Sequence, residues 1–377
     1  MAATRVYLDH NATTPVLPVA RAAVAEALHQ VGNPSSVHRD GADARRTVDQ
    51  ARDRVADLVG APASDVIFTS GGTEANNLAL LGFDRPVIVS AVEHDSVMAP
   101  ARLASAGFST VPVDTQGVLD LDALESILSA HPNALLSLML ANNETGVRQP
   151  VREAAQLAHG QGALVHCDAV QGPGKVPVDM SDLGADLLTV SAHKFGGPTG
   201  VGALIVRSGL SLAPRQVGGG QEGYRRAGTP NVPGIAGFGA AARWMIESAD
   251  PDVTSVARRR DRLEAACAEY GAEVVGADAP RLPNTSCLTM PGVSSETQVM
   301  AFDLDGIAVS AGAACSSGKV GPSHVLAAMG VADEVAGTAI RVSLGRDTSD
   351  AEIDRFVEAW KKLFRRKHPD LSTRLAS

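Results

Sequence analysis

Two patterns of apolar spacing alternate along the chain. Near-continuous apolar runs at 66–68, 87–89, 135–140, 163–167, 187–190 and 203–206 have the length and composition of strands buried on both faces. Elsewhere apolar residues recur at helical spacing, first over residues 19–28. A second such segment, 43–59, puts Val48, Ala51, Val55 and Leu58 on one stripe. A Gly-Asn-Pro-Ser-Ser loop at 32–36 parts these two helices. The strand at 66–68 turns through Thr69-Ser70-Gly71-Gly72-Thr73-Glu74 into a helix predicted to begin near Ala75. Buried strands alternating with helices predict an α/β fold, a mostly parallel central sheet flanked by helices.

The pattern changes at 244–251. A charged helix is predicted over 256–270, short strands at 286–288 and 307–309, a further strand at 340–344, and a closing amphipathic helix at 351–364. This is the plan of a smaller α/β C-terminal domain, which a short strand near Val6 would complete. The predicted division is a large domain at 15–250 and a small one made of 1–14 and 251–377. The basic run Lys361-Lys362-Leu363-Phe364-Arg365-Arg366-Lys367 reads as a solvated helix end, where cations suit the dipole.

Composition then narrows the function. Aromatic residues are 3% of the 377, so the core rests on Ala, Val, Leu and Ile, and a base-stacking surface is disfavoured. A net charge of −9 argues against a polyanion as main ligand, so no nucleic acid is expected. No apolar run approaches the ~20 residues of a membrane span. The first residues lack the apolar core of a signal peptide, so the expected location is cytoplasmic. Cys167, Cys267, Cys287 and Cys315 lie far apart with no Cys-x-x-Cys pair, which suits free thiols in a reducing compartment.

Candidate chemistry collects at the predicted strand ends. The run at 187–190 breaks into Ser191-Ala192-His193-Lys194, followed by Gly196 and Gly197. A lysine at the end of a buried strand is costly to desolvate as a cation, so either it snorkels to water or its neutral amine is used. A Schiff base requires such an amine, and pyridoxal phosphate is the common cofactor held that way, with Ser191 and His193 placed for its phosphate. Ligands of open parallel sheets bind outside the carboxyl ends of the strands. Gly71-Gly72-Thr73 would turn backbone N–H groups and a helix N-terminus toward an anion there. Asp168 could keep a pyridine nitrogen protonated, and Gln171 could reach the ring's phenolic oxygen. His94 is placed to stack on the ring and pass protons, and Asn143 to meet a substrate carboxylate or the phenolic oxygen.

Arg341, entering the last strand, is a bidentate partner for a carboxylate. Cys315 sits in a loop of small residues near Lys319, a setting that favours a nucleophilic thiolate; the other three thiols read as buried. Gly218-Gly219-Gly220-Gln221-Glu222-Gly223 has Gly-x-Gly-x-x-Gly spacing, but no strong strand or helix flanks it, so it reads as a loop.

Seven segments occur in order and nearly end to end: Leu8-Asp9-His10-Asn11-Ala12-Thr13-Thr14-Pro15, 69–74, Asn142-Asn143-Glu144-Thr145-Gly146, Asp168-Ala169-Val170-Gln171, Ser191-Ala192-His193-Lys194, Arg225-Arg226-Ala227-Gly228-Thr229 and 340–346. Together they resemble the cysteine desulfurases, group-V, fold-type-I pyridoxal-phosphate enzymes. The resemblance implies that fold and pyridoxal 5'-phosphate as cofactor, with Lys194 as its imine lysine. By the same resemblance Asp168 meets the pyridine nitrogen, Gln171 the phenolic oxygen, and His94 the ring. Gly72, Thr73, Ser191 and His193 would hold the phosphate, joined by Thr229 of the second chain of a homodimer.

Asn143 and Arg341 would hold the carboxylate of L-cysteine, and Cys315 would take its sulfur as a persulfide, leaving L-alanine. The length from Cys315 to Pro322 resembles the long-loop class, which delivers sulfur to iron–sulfur scaffold proteins. It implies no resident metal, with Cys315 able to serve as a transient iron–sulfur ligand. The chain departs from the family at Gly223-Tyr224, where Arg-Gly is usual. A selenocysteine lyase or other group-V enzyme is the alternative, with a cofactor-free sulfur-relay scaffold more remote; activity after replacing Cys315 separates them.

Overall fold

The apolar runs form one seven-stranded sheet at the centre of the molecule. The computed structural model describes residues 5–248, 253–311 and 323–369. In chain order the strands are β1 (Val6–Tyr7), β2 (Val66–Thr69), β3 (Val87–Ser90), β4 (Phe108–Val111), β5 (Leu135–Met139), β6 (Leu164–Asp168), β7 (Leu187–Ser191) and β8 (Gly202–Val206). They are followed by β9 (Thr285–Thr289), β10 (Ile307–Ala308), β11 (Ser310–Ala311) and β12 (Ala339–Ser343). The large sheet has the order β2-β8-β7-β6-β5-β3-β4. Strands β4, β3, β5, β6 and β7 pair in parallel. Strand β8 runs against both its neighbours, which returns β2 to the common direction.

Helices cover both faces, as two-sided burial of the strands requires. One face packs Phe68, Leu136, Val190 and Ile205 against Val48, Val55 and Phe238 of the helices Arg39–Leu58 and Val232–Glu247. These helices approach so closely that a Cβ on Gly239 would fall 2.6 Å from the Ala51 Cα. The other face packs Ile67, Val87, Val89 and Leu204 beneath Leu78 and Val97 of the helices Gly72–Leu81 and Asp95–Ala101.

A second apolar core gathers Val6, Leu8, Leu288, Ile340, Val342, Phe302, Phe356 and Trp360. Its antiparallel sheet has the order β11-β12-β9, and β1 pairs in parallel with β10 through Val6↔Ile307 and Tyr7↔Ala308. The N-terminal strand thus pairs with a C-terminal one. The helix Asp350–Lys367 closes this core, opened by a reciprocal Ser349–Glu352 capping box. Beyond Leu8 the chain bridges Asp9 to Ser343 and then crosses to the end of β7, where the Thr14 N–H donates to the His193 carbonyl at 2.9 Å.

Candidate active site

The C-terminal ends of β2, β3, β5, β6 and β7 lie along one edge of the large sheet, and the cleft there opens between the two cores. It encloses about 430 Å³, within the range of roughly 300–1,000 Å³ usual for small-molecule sites. Its lining includes Gly72, Thr73, His94, Asn143, Asp168, Gln171, Ser191, His193, Lys194 and Arg341. Residues far apart in sequence meet here because the βα crossovers return the chain to the same edge.

Several local structures differ from the sequence expectation. The helix after β2 begins at Gly72 and not near Ala75, so Gly72 and Thr73 belong to its first turn. Gly71 has φ 150° and ψ −178°, a conformation only glycine adopts freely, and this sets the helix axis toward the cleft. Gly202 on β8 lets this turn lie close: a Cβ there would fall 2.8 Å from the Gly71 Cα. Lys194 sits on a 3₁₀ turn, Ala192–Lys194, one step past the end of β7. Its Nζ donates to the carbonyls of Asn11 and Ala12 at 2.7 and 3.1 Å. Arg341 stands in the middle of β12, not at its entrance.

Asp168 ends β6 and is almost fully buried. Its Oδ1 accepts from the Val170 N–H at 3.0 Å and its Oδ2 from Asn76 Nδ2 at 2.8 Å. His94 caps the Asp95–Ala101 helix: its Nδ1 accepts from the Ser96 N–H at 3.0 Å and lies 2.8 Å from Ser96 Oγ. Gln171 donates from Nε2 to the Asn11 carbonyl at 3.0 Å, and its Oε1 accepts from Lys175 Nζ. The Asn11 carbonyl therefore receives both Gln171 and Lys194. Arg341 pairs through Nη2 with Asp9 at 2.7 Å and donates through Nη1 to the Asn143 carbonyl at 3.2 Å. Its Nε is buried with no partner among the described residues.

Low polarity and crowded cations govern protonation. Burial, helped by Lys194 and Lys175, pushes His193 down to about 4. His10 falls to about 4 for the same main cause. Burial also lowers His94, with Asp168 opposing it and Lys194 reinforcing it. Lys175 is held well below the ordinary lysine range by burial and by the charges of Lys194 and Arg341. Glu93 sits beneath the cleft, fully buried and raised to about 8 by desolvation.

Sequence reasoning missed Asp9, Asn11, Asn76, Ser96, Glu93 and Lys175. Asp9, Asn11, Asn76 and Glu93 act through neighbours remote in sequence, whereas Ser96 meets the nearby His94 and Lys175 the nearby Gln171; Asn76 also stands one helical turn after Gly72 and could have been found by that spacing. The Gly218–Gly223 stretch is a loop with a 3₁₀ turn, Gln221–Tyr224, as expected. Glu222 anchors it by a bidentate pair with Arg52 at 2.8 Å and by accepting from the Phe68 N–H. Cys167, Cys267 and Cys287 are buried, and burial pushes the Cys287 thiol up to about 12. Thr229 is not among the residues lining the cleft of its own chain. Cys315 and Lys319 lie outside the described residues.

Comparison with known proteins places this geometry. The sequence pattern of the family Aminotransferase class-V matches residues 6–356. A cysteine desulfurase of Cereibacter sphaeroides is 46% identical over 368 residues, covering 94% of each chain. The cysteine desulfurase IscS of Dictyoglomus turgidum is 39% identical over 375 residues, covering 95% of this chain and 94% of its own. Among solved structures, a NifS-like protein from Rickettsia africae superposes with a TM-score of 0.89 at 36% identity, covering 96% of this chain and 99% of its own. A structure described as SspA in complex with cysteine superposes with a TM-score of 0.78 at 29% identity, covering 90% and 99%.

Proposed function

The chain belongs to the class-V aminotransferase family, and from that membership we propose how its cleft works. It is a pyridoxal-phosphate-dependent cysteine desulfurase. The residues present fit the cofactor. A helix N-terminus faces the cleft, Asp168 supplies a buried carboxylate at one strand end, and Lys194 supplies an amine at the next. Bound there, pyridoxal phosphate supplies a protonated ring that draws electrons from the substrate α-carbon. Lys194 holds it covalently through Nζ, Asp168 meets its pyridine nitrogen, Gln171 its phenolic oxygen and His94 its ring. Gly72, Thr73, Ser191 and His193 hold its phosphate.

Arg341 and Asn143 receive the substrate carboxylate. The buried Arg341 Nε, without a partner among the described residues, supports this role, since an unsatisfied guanidinium N–H is costly unless an incoming anion accepts from it. Asp9 fixes the guanidinium plane in advance. Cys315 takes the sulfur of L-cysteine as a persulfide, leaving L-alanine, and passes it to an acceptor protein of the iron–sulfur scaffold type. The working unit is a homodimer in which Thr229 reaches the second copy's phosphate site; its position away from its own cleft supports that reading. The division into 15–250 and 1–14 with 251–377 is supported by the two separate cores. Among the described residues no helix is long and apolar enough to cross a membrane, and we place the enzyme in the cytoplasm.

The observation that carries this reading is the juxtaposition of Lys194 and Asp168 at adjacent strand ends of one cleft. The test is the visible absorption of the purified protein before and after L-cysteine. A yellow band that shifts with cysteine and is absent in Lys194→Ala is expected, as is loss of alanine and sulfide formation in Cys315→Ser. A colourless protein that takes up no pyridoxal phosphate would overturn the reading. Full turnover in Cys315→Ser would sink the persulfide role and favour a selenocysteine lyase or a related enzyme.

A further inference from the structure

We propose that Asn76 and Ser96 are positioning residues that keep His94 neutral with its proton on Nε2. This imidazole then serves the cleft as a hydrogen-bond donor and not as a base. The proposal rests on the reading of His94 as the group that meets the cofactor ring, and it revises the expectation that His94 passes protons.

The assignment starts at Asp168. Both of its oxygens accept, one from the Val170 N–H and one from Asn76. A carboxylate at this position leaves one orientation for the Asn76 amide, because a flipped amide would set oxygen against oxygen. The same amide nitrogen lies 2.9 Å from Ser96 Oγ, so its second proton goes to that hydroxyl oxygen. The hydroxyl proton of Ser96 is then directed to His94 Nδ1 at 2.8 Å. The Ser96 backbone N–H, which makes the helix-capping bond, points at the same nitrogen from 3.0 Å.

Two donors therefore converge on Nδ1. A ring nitrogen that accepts carries no proton, which places the proton of the neutral ring on Nε2. Protonating Nδ1 would set its N–H against the backbone N–H of Ser96, which cannot turn away, and against a hydroxyl one of whose acceptor sites Asn76 already occupies. Asn76 is 1% exposed, which leaves little access for water to relieve that conflict. Asn76 Oδ1 is buried with no partner among the described residues, so the amide gives up its own acceptor bond to keep its nitrogen in this place. The charges around the ring divide. Asp168 and Asp95 favour its cation, while Lys194, His324 and burial oppose it, with a net lowering. With Nδ1 accepting and Nε2 protonated, the ring has no free lone pair for a substrate proton. Proton acceptance in the cleft falls to another group, and the Lys194 amine lines the same space.

The test is nitrogen NMR on the protein labelled with ¹⁵N-histidine, as apoprotein and as holoenzyme, with His94→Gln identifying the signal. The expected signal is that of a neutral ring protonated on Nε2, unchanged as pH falls through the ordinary histidine midpoint of about 6.5. In Asn76→Ala the Ser96 hydroxyl is free to turn, so the His94 midpoint is expected to rise by about one pH unit, while Ser96→Thr keeps the wild-type signal. A wild-type ring protonated on Nδ1, or charged near neutral pH, would overturn the proposal. So would Asn76→Ala and Ser96→Ala both leaving the signal unmoved. If Asn76→Ala does not fold, the wild-type signal decides alone. The apoprotein measurement needs no cofactor, and the visible band of the holoenzyme reports separately whether the cofactor reading holds.

Discussion

Glu93 shows how a single buried group sets a measurable pH dependence. Its Oε1 accepts from Ser90 Oγ and the Met139 N–H at 2.7 and 2.8 Å, while its Oε2 is buried without a partner among the described residues. Folding raises this carboxyl from 4.5 to about 8. The folded state therefore holds a proton that the unfolded state has released. The stability this group contributes is fully present below about 4.5 and is lost as pH rises toward about 8. Glu93→Gln keeps the acceptor and needs no proton, so the variant should gain on the wild type as pH rises. The gain should approach about 1.4 kcal/mol per pH unit inside that window. Urea denaturation of both proteins near pH 5 and near pH 8 checks this, and a stability difference that does not change with pH would refute it.

Sequence reading could not reach Glu93 or Asp9, because each takes its meaning from a partner on another strand. Lys194, Asp168 and Gly72 were legible because each breaks the pattern around it. A polar residue that ends a buried apolar run, or a glycine pair that opens a helix, has little to do for packing and points to a ligand at that edge.

At the scale of elements, the Gly72–Leu81 helix is the part of the cleft whose function depends most on backbone. A Cβ at Gly72 would come 3.0 Å from Val170 Cγ2, so even a small side chain presses on the segment that follows Asp168. Gly72→Val would block the N–H groups of the first turn without touching the Lys194 amine. A helix terminus stabilises an anion by about 1–2 kcal/mol, so the dissociation constant for pyridoxal phosphate should rise about five- to thirtyfold. Equilibrium reconstitution followed by absorbance measures this, and unchanged affinity would remove the helix from the phosphate site.

The elements that sequence patterns missed are those without a clean pattern. Strand β4 has only one buried residue of four, so its alternation is lost at the sheet edge. Tyr224 is a different case. It sits at φ 64°, a left-handed conformation that costs a bulky side chain about 1–2 kcal/mol, at the position where the family usually carries glycine. The departure visible in sequence is thus a strained, exposed residue in the structure.

At the scale of the whole molecule, buried histidines and Glu93 tilt stability in opposite directions. His166 lies in the centre of the large sheet, fully buried, with Nδ1 2.8 Å from Ser137 Oγ on β5 and Nε2 2.9 Å from Thr189 Oγ1 on β7. It ties three neighbouring strands together through these two hydroxyls, and burial lowers it to about 4. His10 and His193 fall to about the same value. Each of these is neutral in the folded state where the unfolded chain, with a midpoint at 6.5, takes up a proton. Their contribution is therefore present above about 6.5 and lost as pH falls toward about 4.

Between about pH 4.5 and 6.5 these three histidines outweigh the one carboxyl, so stability should climb over that interval, with Glu93 working against it up to about 8. Relative to Glu93→Gln, the wild type should lose stability between about pH 6.5 and 8. His166→Gln, which can still bridge Ser137 and Thr189 without titrating, should remove up to about 3 kcal/mol of the acid-side loss. Chemical denaturation across pH for the wild type and both variants resolves the two arms. An acid arm unchanged by His166→Gln would show that this histidine takes up its proton inside the fold, and that the three-strand bridge survives it.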